Sequence, residues 1–168
     1  MGITIFTPAP LPRNERERSE AARSSGLLNR VGDPTLFHIV DDACHALRSH
    51  WCAITLMIEE TQYVIASSGG MMGIYRRSTS LCSYVIHDPD QVFFILDAPN
   101  DPRFAGNPFV DNGVINFFAG AAILDRAGYA IGVLCITDRL PRTNFSDDEA
   151  FVLAGFADMV TAAIIHNS

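Results

Sequence analysis

The chain reads as an α+β domain built on an antiparallel sheet, and three observations predict it. Helical patterns come first and last while strand patterns cluster between them, so the strand–helix alternation of a parallel fold is missing. Two pairs of strand-like runs are joined by short links, "EET" after "WCAITLMI" (51–58) and "RAG" after "FFAGAAILD" (117–125). The strand "YAIGVLCITD" (129–138) is apolar on both faces, with Ile131, Val133, Cys135 and Thr137 on one and Gly132, Leu134 and Ile136 on the other, which predicts a central position.

Taken in order, residues 1–13 are predicted to be an arm or linker, because Pro8, Pro10 and Pro12 cannot donate backbone hydrogen bonds and favour extended geometry. One folded domain is expected over 14–168. Asn14 followed by Glu17 has N-cap spacing, and Gly26 can stop the polar helix that results, over about 14 to 25. Asp33-Pro34 starts a second helix, on which Phe37, Val40, Cys44 and Leu47 form an apolar stripe. The first hairpin follows, "QYVIASS" (62–68) being its second strand, and the glycine-rich "SSGGMMG" ends it. From 74 to 115 the reading is of short elements and loops with one clear strand, "VFFIL" (92–96), and "HDPD" (87–90) as the turn before it. The loop after that strand is too long for a connector and is expected to cover a site. The last helix opens with a capping box, Ser146 and Glu149. It carries two apolar stripes: Leu153, Ala157, Val160 and Ile164, then Val152, Phe156, Met159 and Ala163. The second stripe predicts a partner, a helix or a second copy of the chain.

Composition narrows the function classes. At 168 residues, 48% hydrophobic and 18% charged, one core suffices and disorder is not indicated. A net charge of -7, from 12 Lys+Arg against 19 Asp+Glu, argues against a general nucleic-acid binder, which gains affinity by neutralising phosphates. No basic region precedes the short apolar run at the start, and no uninterrupted apolar run nears the roughly 18 residues of a membrane span. A cytoplasmic protein without a membrane partner is therefore expected. Cys44, Cys52, Cys82 and Cys135 include no CxxC pair, and reduced, packed thiols are the expectation.

The segments "NERERSEAARSSGLL", "LFHIVDDACHAL", "SLCSYVIHDPDQVFFILDAPNDPRFAGNPFV", "FFAGAAILDRAGYAIGVLCITDRLPR" and "FSDDEAFVLAGFADMV" follow one another over about residues 14 to 165. With them the chain resembles the GAF domain, in its bacterial sensory form. The resemblance implies a PAS/profilin-like central antiparallel sheet of five or six strands. Terminal helices would lie on one face, and loops and short helices forming a small-molecule pocket on the other. It also implies homodimers through the terminal helices, here Val152, Phe156, Met159 and Ala163, and signalling partners such as a kinase or a cyclic-dinucleotide enzyme. No cofactor or ligand is fixed by it, since members bind cyclic nucleotides, bilins, haem or small metabolites.

The pocket candidates are Cys82, Tyr84, Asp97, Arg103, Phe104 and Phe118. Cys82 could act as a nucleophile if a base lowered its pKa, but His87 lies five residues on, and the Cys-x-His of relatives is replaced by Cys82-Ser83-Tyr84. A packed, pocket-lining cysteine is the favoured reading. Arg103 could clamp an anion or tie the loop to neighbouring aspartates, and Phe104, Phe109, Phe117 and Phe118 could line an apolar wall or fill the core. His38, Asp41, Asp42 and His45 share a helix face with metal-ligand chemistry, but such a face opposite an apolar stripe reads as solvated; no metal and no catalytic residue is assigned. The leading expectation is a non-catalytic regulatory module that binds a small molecule, dimerises, or both. Its rivals are a ligand-free interaction module and, behind it, a GAF-fold reductase of free methionine-R-sulfoxide. That reductase needs thiols which the 97–115 loop lacks. A bilin photoreceptor attached through Cys82 ranks lower for want of the Cys-His pair.

Overall fold

A computed structural model describes residues 5–69 and 72–166. Residues 1–4 of the arm, Gly70 and Met71 of the glycine-rich break, and the last two positions of the domain lie outside the described residues. The order is α1 (Glu15–Ser24), α2 (Pro34–Ala46), β1 (Trp51–Ile58), β2 (Thr61–Ser67), β3 (Gly73–Arg76), α3 (Cys82–His87), β4 (Phe93–Ile95), α4 (Pro108–Asp111), β5 (Phe117–Leu124), β6 (Ala130–Asp138) and α5 (Asp147–His166). The strands form one antiparallel sheet of six in the order β3-β2-β1-β6-β5-β4. Strand β6 is interior, and every residue in it except Asp138 is buried.

One sheet face carries α1, α2 and α5. Leu36 and Val40 of α2, with Leu47 that caps its C-terminus, meet Leu153, Val160 and Ile164 of α5 over Ile54, Leu134 and Ile136 of the sheet. Asp33 caps α2 by accepting from Thr35 N (2.8 Å) and Leu36 N (3.4 Å). The inward stripe of α2 is Leu36, Val40, Ala43 and Leu47, and Phe37 is 46% exposed. Both sets have helical spacing, so periodicity alone chose the wrong one at Phe37. The capping box of α5 is present: Glu149 N donates to Ser146 Oγ (3.1 Å) and Ser146 N to Glu149 Oε1 (3.1 Å). Helix α5 is long and apolar enough to cross a bilayer by length and composition, but its stripe Leu153, Ala157, Val160 and Ile164 is packed into the core. On its outer side Val152 and Met159 are exposed and Phe156 and Ala163 half-buried.

The other sheet face carries α3, α4 and the arm. Phe6 and Ala9 of the arm are buried, Phe6 among Leu81, Val85, Phe104 and Phe118. Helix α3 sits directly on β5 because Gly120 has no side chain; a Cβ there would lie 2.8 Å from Val85 and 3.0 Å from Val133. The 97–115 loop holds two 3-10 turns and α4. Asn107, fully buried, accepts from Phe109 N (3.0 Å) at the start of α4 and donates to Thr79 O (3.0 Å), fastening the loop to the segment that enters α3.

The two layers are joined by Glu15. Its carboxylate accepts from Arg18 (2.9 and 3.2 Å) and from Arg77 (2.7 Å), both guanidinium side chains being almost wholly buried. Arg18 also donates to Ala130 O (3.0 Å) at the start of β6, and Arg77 to Glu59 O (3.0 Å) in the β1–β2 turn. Burial works to raise the Glu15 pKa, but the hydrogen bonds and charges of Arg18 and Arg77 together hold it below the ordinary carboxylate range.

Glu15→Ala leaves two buried cations without their shared anion and is expected to cost about 3 kcal/mol, read from urea unfolding. The folded-state pKa of Glu15 is depressed, so its charge contributes stability above the unfolded value of about 4.3 that is lost as the pH falls through the lower folded value. The stability gap between wild type and Glu15→Gln should therefore be widest near neutrality and close below about pH 4. Gly132→Ala would drive a Cβ of β6 into the Thr55 carbonyl of β1 and should destabilise by about 3 kcal/mol, with no loss of the isolated helices' propensity to form.

Candidate functional site

Between the sheet and the α3 side lies a partly open cavity of about 80 Å³. Its floor follows the strand period of two: Trp51, Ala53 and Thr55 from β1, and Cys135 and Thr137 from β6. From β2 it takes Gln62, Val64 and Ser67. The step from 64 to 67 is odd, and it keeps one face only because the β1–β2 register shifts there, Thr55 pairing with Val64 and Ile54 with Ala66. The roof and rim come from Tyr75 to Cys82, with Phe109, Ile115 and Phe118.

The lining is mainly apolar, with a few polar atoms in definite places. The hydroxyls of Ser67 and Thr137 are buried and have no hydrogen-bond partner among the described residues. Thr137 pairs across the ladder with Trp51, so its unpartnered oxygen lies near the indole end of the cavity. The one charged residue in the lining is Arg76, which is exposed at the rim. At the entry to α3, Ser80 accepts from Cys82 N (3.1 Å), contacts the Gln62 amide oxygen, and accepts through its own carbonyl from Ser83 Oγ (2.7 Å).

Cys82 is buried in the cavity wall, and Cys135 is buried in the floor beside it. The Thr55 hydroxyl is 3.6 Å from Cys82 Sγ and 3.3 Å from Val133 O, so its single hydrogen has two acceptors within reach. A hydrogen bond from the Cys135 thiol lowers the Cys82 pKa against the burial that raises it; Thr55 and Ser80 add to the lowering. That same hydrogen bond, with burial, raises Cys135 well above the ordinary thiol value. His87 takes no part: Cys82 and His87 are the first and last residues of α3, and His87 is exposed.

Of the six residues singled out in the sequence, the structure brings Cys82 and Phe118 together at the cavity. Tyr84, Arg103 and Phe104 meet elsewhere, in an aromatic cluster with Phe6 and Phe93. The Tyr84 hydroxyl donates to Thr7 O of the arm (3.0 Å), and burial raises its pKa. Arg103 forks onto Asp101 (2.6 to 3.2 Å) and stands 5.1 Å from the Phe104 ring centre, so the loop-tying role is the one its geometry displays. Asp97 accepts from Asn100 (2.8 Å), and its other oxygen is buried outside the cavity without a partner among the described residues. Phe109 lines the cavity, whereas Phe117 packs on Phe145 in the helix-side core. On α2, His45 Nδ1 contacts Asp41 O (2.8 Å) on an outer face, and among the described residues no group of three His, Cys, Asp or Glu comes together as a metal site. The missed lining residues include Trp51, Thr55, Ser67, Cys135 and Thr137; the period of β1 and β6 carries most of these five, and nothing in the sequence marks Ser67.

The family model for the GAF domain matches residues 33–164. A cyclic di-GMP phosphodiesterase of Pseudomonas aeruginosa is 32% identical over 161 residues, which cover 95% of this chain and 27% of that protein's length. The chain therefore spans about a quarter of that relative. The GAF domain of an Acinetobacter phosphoenolpyruvate-protein phosphotransferase superposes with a TM-score of 0.64 at 21% identity, covering 91% of each chain. The type II free methionine-R-sulfoxide reductase of Thermoplasma acidophilum superposes at 0.63 with 14% identity, covering 89% of this chain and 96% of its own. At those identities the two structures speak for the fold alone. The match over most of the length, together with the six-stranded sheet flanked by terminal helices, establishes that the chain belongs to the GAF domain family.

Proposed function

We propose that this GAF domain is a non-catalytic regulatory module that binds a small, largely apolar molecule in the cavity between the sheet and α3. The observation that carries the reading is the pair of hydroxyls, Ser67 and Thr137, that lack a partner among the described residues in a mainly apolar lining. A buried hydroxyl without a partner costs about 1 to 3 kcal/mol, and a ligand bearing one hydrogen-bonding group would recover part of that. No carboxylate is among the lining residues, and the single cation stands at the rim, which suits a neutral ligand. Cyclic di-GMP is what the Pseudomonas relative is named for acting on, and a dianionic dinucleotide would find a single cation, Arg76, in this lining. The partner would be an output domain or enzyme of the cyclic-dinucleotide kind, as in that relative.

A second reading concerns association. Phe151, Val152 and Met159 expose apolar surface along α5, beside half-buried Phe156 and Ala163. A second copy of the chain laid along this face would bury it, and the tilt of α5 against α2 and the sheet would carry a change in the cavity to the dimer.

Melting temperatures measured with a series of small neutral aromatics, indole and phenol among them, test the first reading. At least one should stabilise the wild type, and Thr137→Val should weaken its binding about 5-fold, the worth of one hydrogen bond, without destabilising the free protein. Identical shifts in wild type and variant would sink the hydroxyl-directed site. For the second reading, sedimentation velocity should show a dimer that Val152→Glu with Met159→Glu converts to a monomer; an unchanged dimer would place the interface elsewhere.

A further inference from the structure

We propose that Cys82 and Cys135 form an oxidation site, in which hydrogen peroxide or a small organic hydroperoxide entering the cavity converts the two thiols to a disulfide that locks α3 to β6. The inference needs no bound ligand; it needs only the cavity.

Four thiols are present and free; Cys44 and Cys52 lie near each other in the helix-side core, and only Cys82 and Cys135 line the cavity. Cys82 and Cys135 both line the cavity, one from α3 and one from the central strand; Cys82 Sγ lies 3.6 Å from the hydroxyl of Thr55, which pairs with Val133, two residues from Cys135 on the same face of β6. Cys52 lies next to Ala53 on β1 and so points to the opposite face, into the helix-side core, where burial holds its thiol high. Cys44 sits on α2, its thiol donating to Ser49 O (3.2 Å). The pair at the cavity is also chemically unequal. The Thr55 hydroxyl stands 3.6 Å from Cys82 Sγ, where a hydrogen bond to the sulfur favours the thiolate, and the Cys82 pKa is lowered while that of Cys135 is raised. An attacking thiolate beside a protonated second thiol is the arrangement that sequential oxidation uses.

The steps balance. Cys82 thiolate attacks the near oxygen of the peroxide; an S–O bond forms, the O–O bond breaks, and the departing hydroxide takes up the proton Cys82 released, leaving as water or, from an organic peroxide, as the alcohol. Cys82 is then a sulfenic acid. Cys135 sulfur attacks it, the S–S bond forms and the S–O bond breaks, and the hydroxyl leaves as water with the Cys135 proton. Two thiols have been oxidised and one peroxide reduced by two electrons. The new bond would fasten α3 to β6 beside Thr55. The loop holding Ser80 and Thr79 would be drawn with it, so oxidation would change the space left for any molecule in the cavity.

The test treats the intact protein with hydrogen peroxide, alkylates remaining thiols under denaturing conditions, and maps the peptides by mass spectrometry. The expected result is loss of two of the four alkylatable thiols, a peptide pair joined through Cys82 and Cys135 with two hydrogens missing, and full return of the thiols with dithiothreitol. In Cys135→Ala the sulfenic acid on Cys82 should be trapped by dimedone, and in Cys82→Ala no link should form. Cys44→Ser should behave as wild type. Because Cys135 packs in the sheet, its variant is checked by circular dichroism, and the wild-type peptide map decides the question even if that variant fails to fold. Oxidation first at Cys44, links between two chains, sulfinic acid on Cys82 without a link, or four thiols still reactive would each overturn the proposal.

Discussion

A single carboxylate, Glu15, holds the two sides of the sheet in register. It lies on α1, which packs with the helices, yet it grips Arg77, which leads into the segment that forms the cavity rim. Through Arg18 it also reaches the first carbonyl of β6, and through Arg77 the turn between β1 and β2. Two buried guanidiniums need an anion and several carbonyls to be tolerable, and here one anion serves both. The chain from Arg77 through Ser80 to Cys82 is thus anchored at its start by charge and along its length by hydroxyl hydrogen bonds. Arg142 does similar service at the far end of β6. It bonds Asp138 (2.6 Å) and Leu47 O (3.0 Å) and lies over Phe117, 4.4 Å from the ring centre.

The cavity is a by-product of how the second layer is laid on the sheet. On the helix side, long α2 and α5 press leucines and isoleucines against the strands and leave little room. On the other side the covering pieces are short, and each is fixed at one point: α3 over Gly120, α4 through Asn107, the arm through Phe6 and Thr7. Short pieces cannot tile a twisted sheet without a gap, and the gap falls over β1, β2 and β6.

Much of the frame was legible in the residues. The Asp33-Pro34 start of α2, the Ser146-Glu149 box, both hairpins and the interior place of β6 follow from local chemistry that the tertiary structure did not override. The site was less legible, and Cys82 with Tyr84 shows why. Residues two apart share a face on a strand, but on a helix they point about 200° apart. Because 82–87 is helical, Cys82 looks into the cavity and Tyr84 out toward the arm, and Phe104 and Arg103 follow Tyr84. Ser67 was hidden for a related reason: a register shift changes the phase of β2, and only the partner strand reveals it.

The floor of the cavity joins parts of the chain that are far apart in sequence. Trp51 pairs with Thr137 and Leu56 with Gly132, across roughly 80 residues. Hairpins β1–β2 and β5–β6 close short loops and can form early, whereas the β1–β6 seam must wait for a long closure that is entropically slow. The cavity floor is complete only when that seam has closed, so any molecule that fits it binds a domain whose two hairpins are already joined. Such a ligand would slow unfolding at the seam between the two hairpins and leave each hairpin's own fraying untouched.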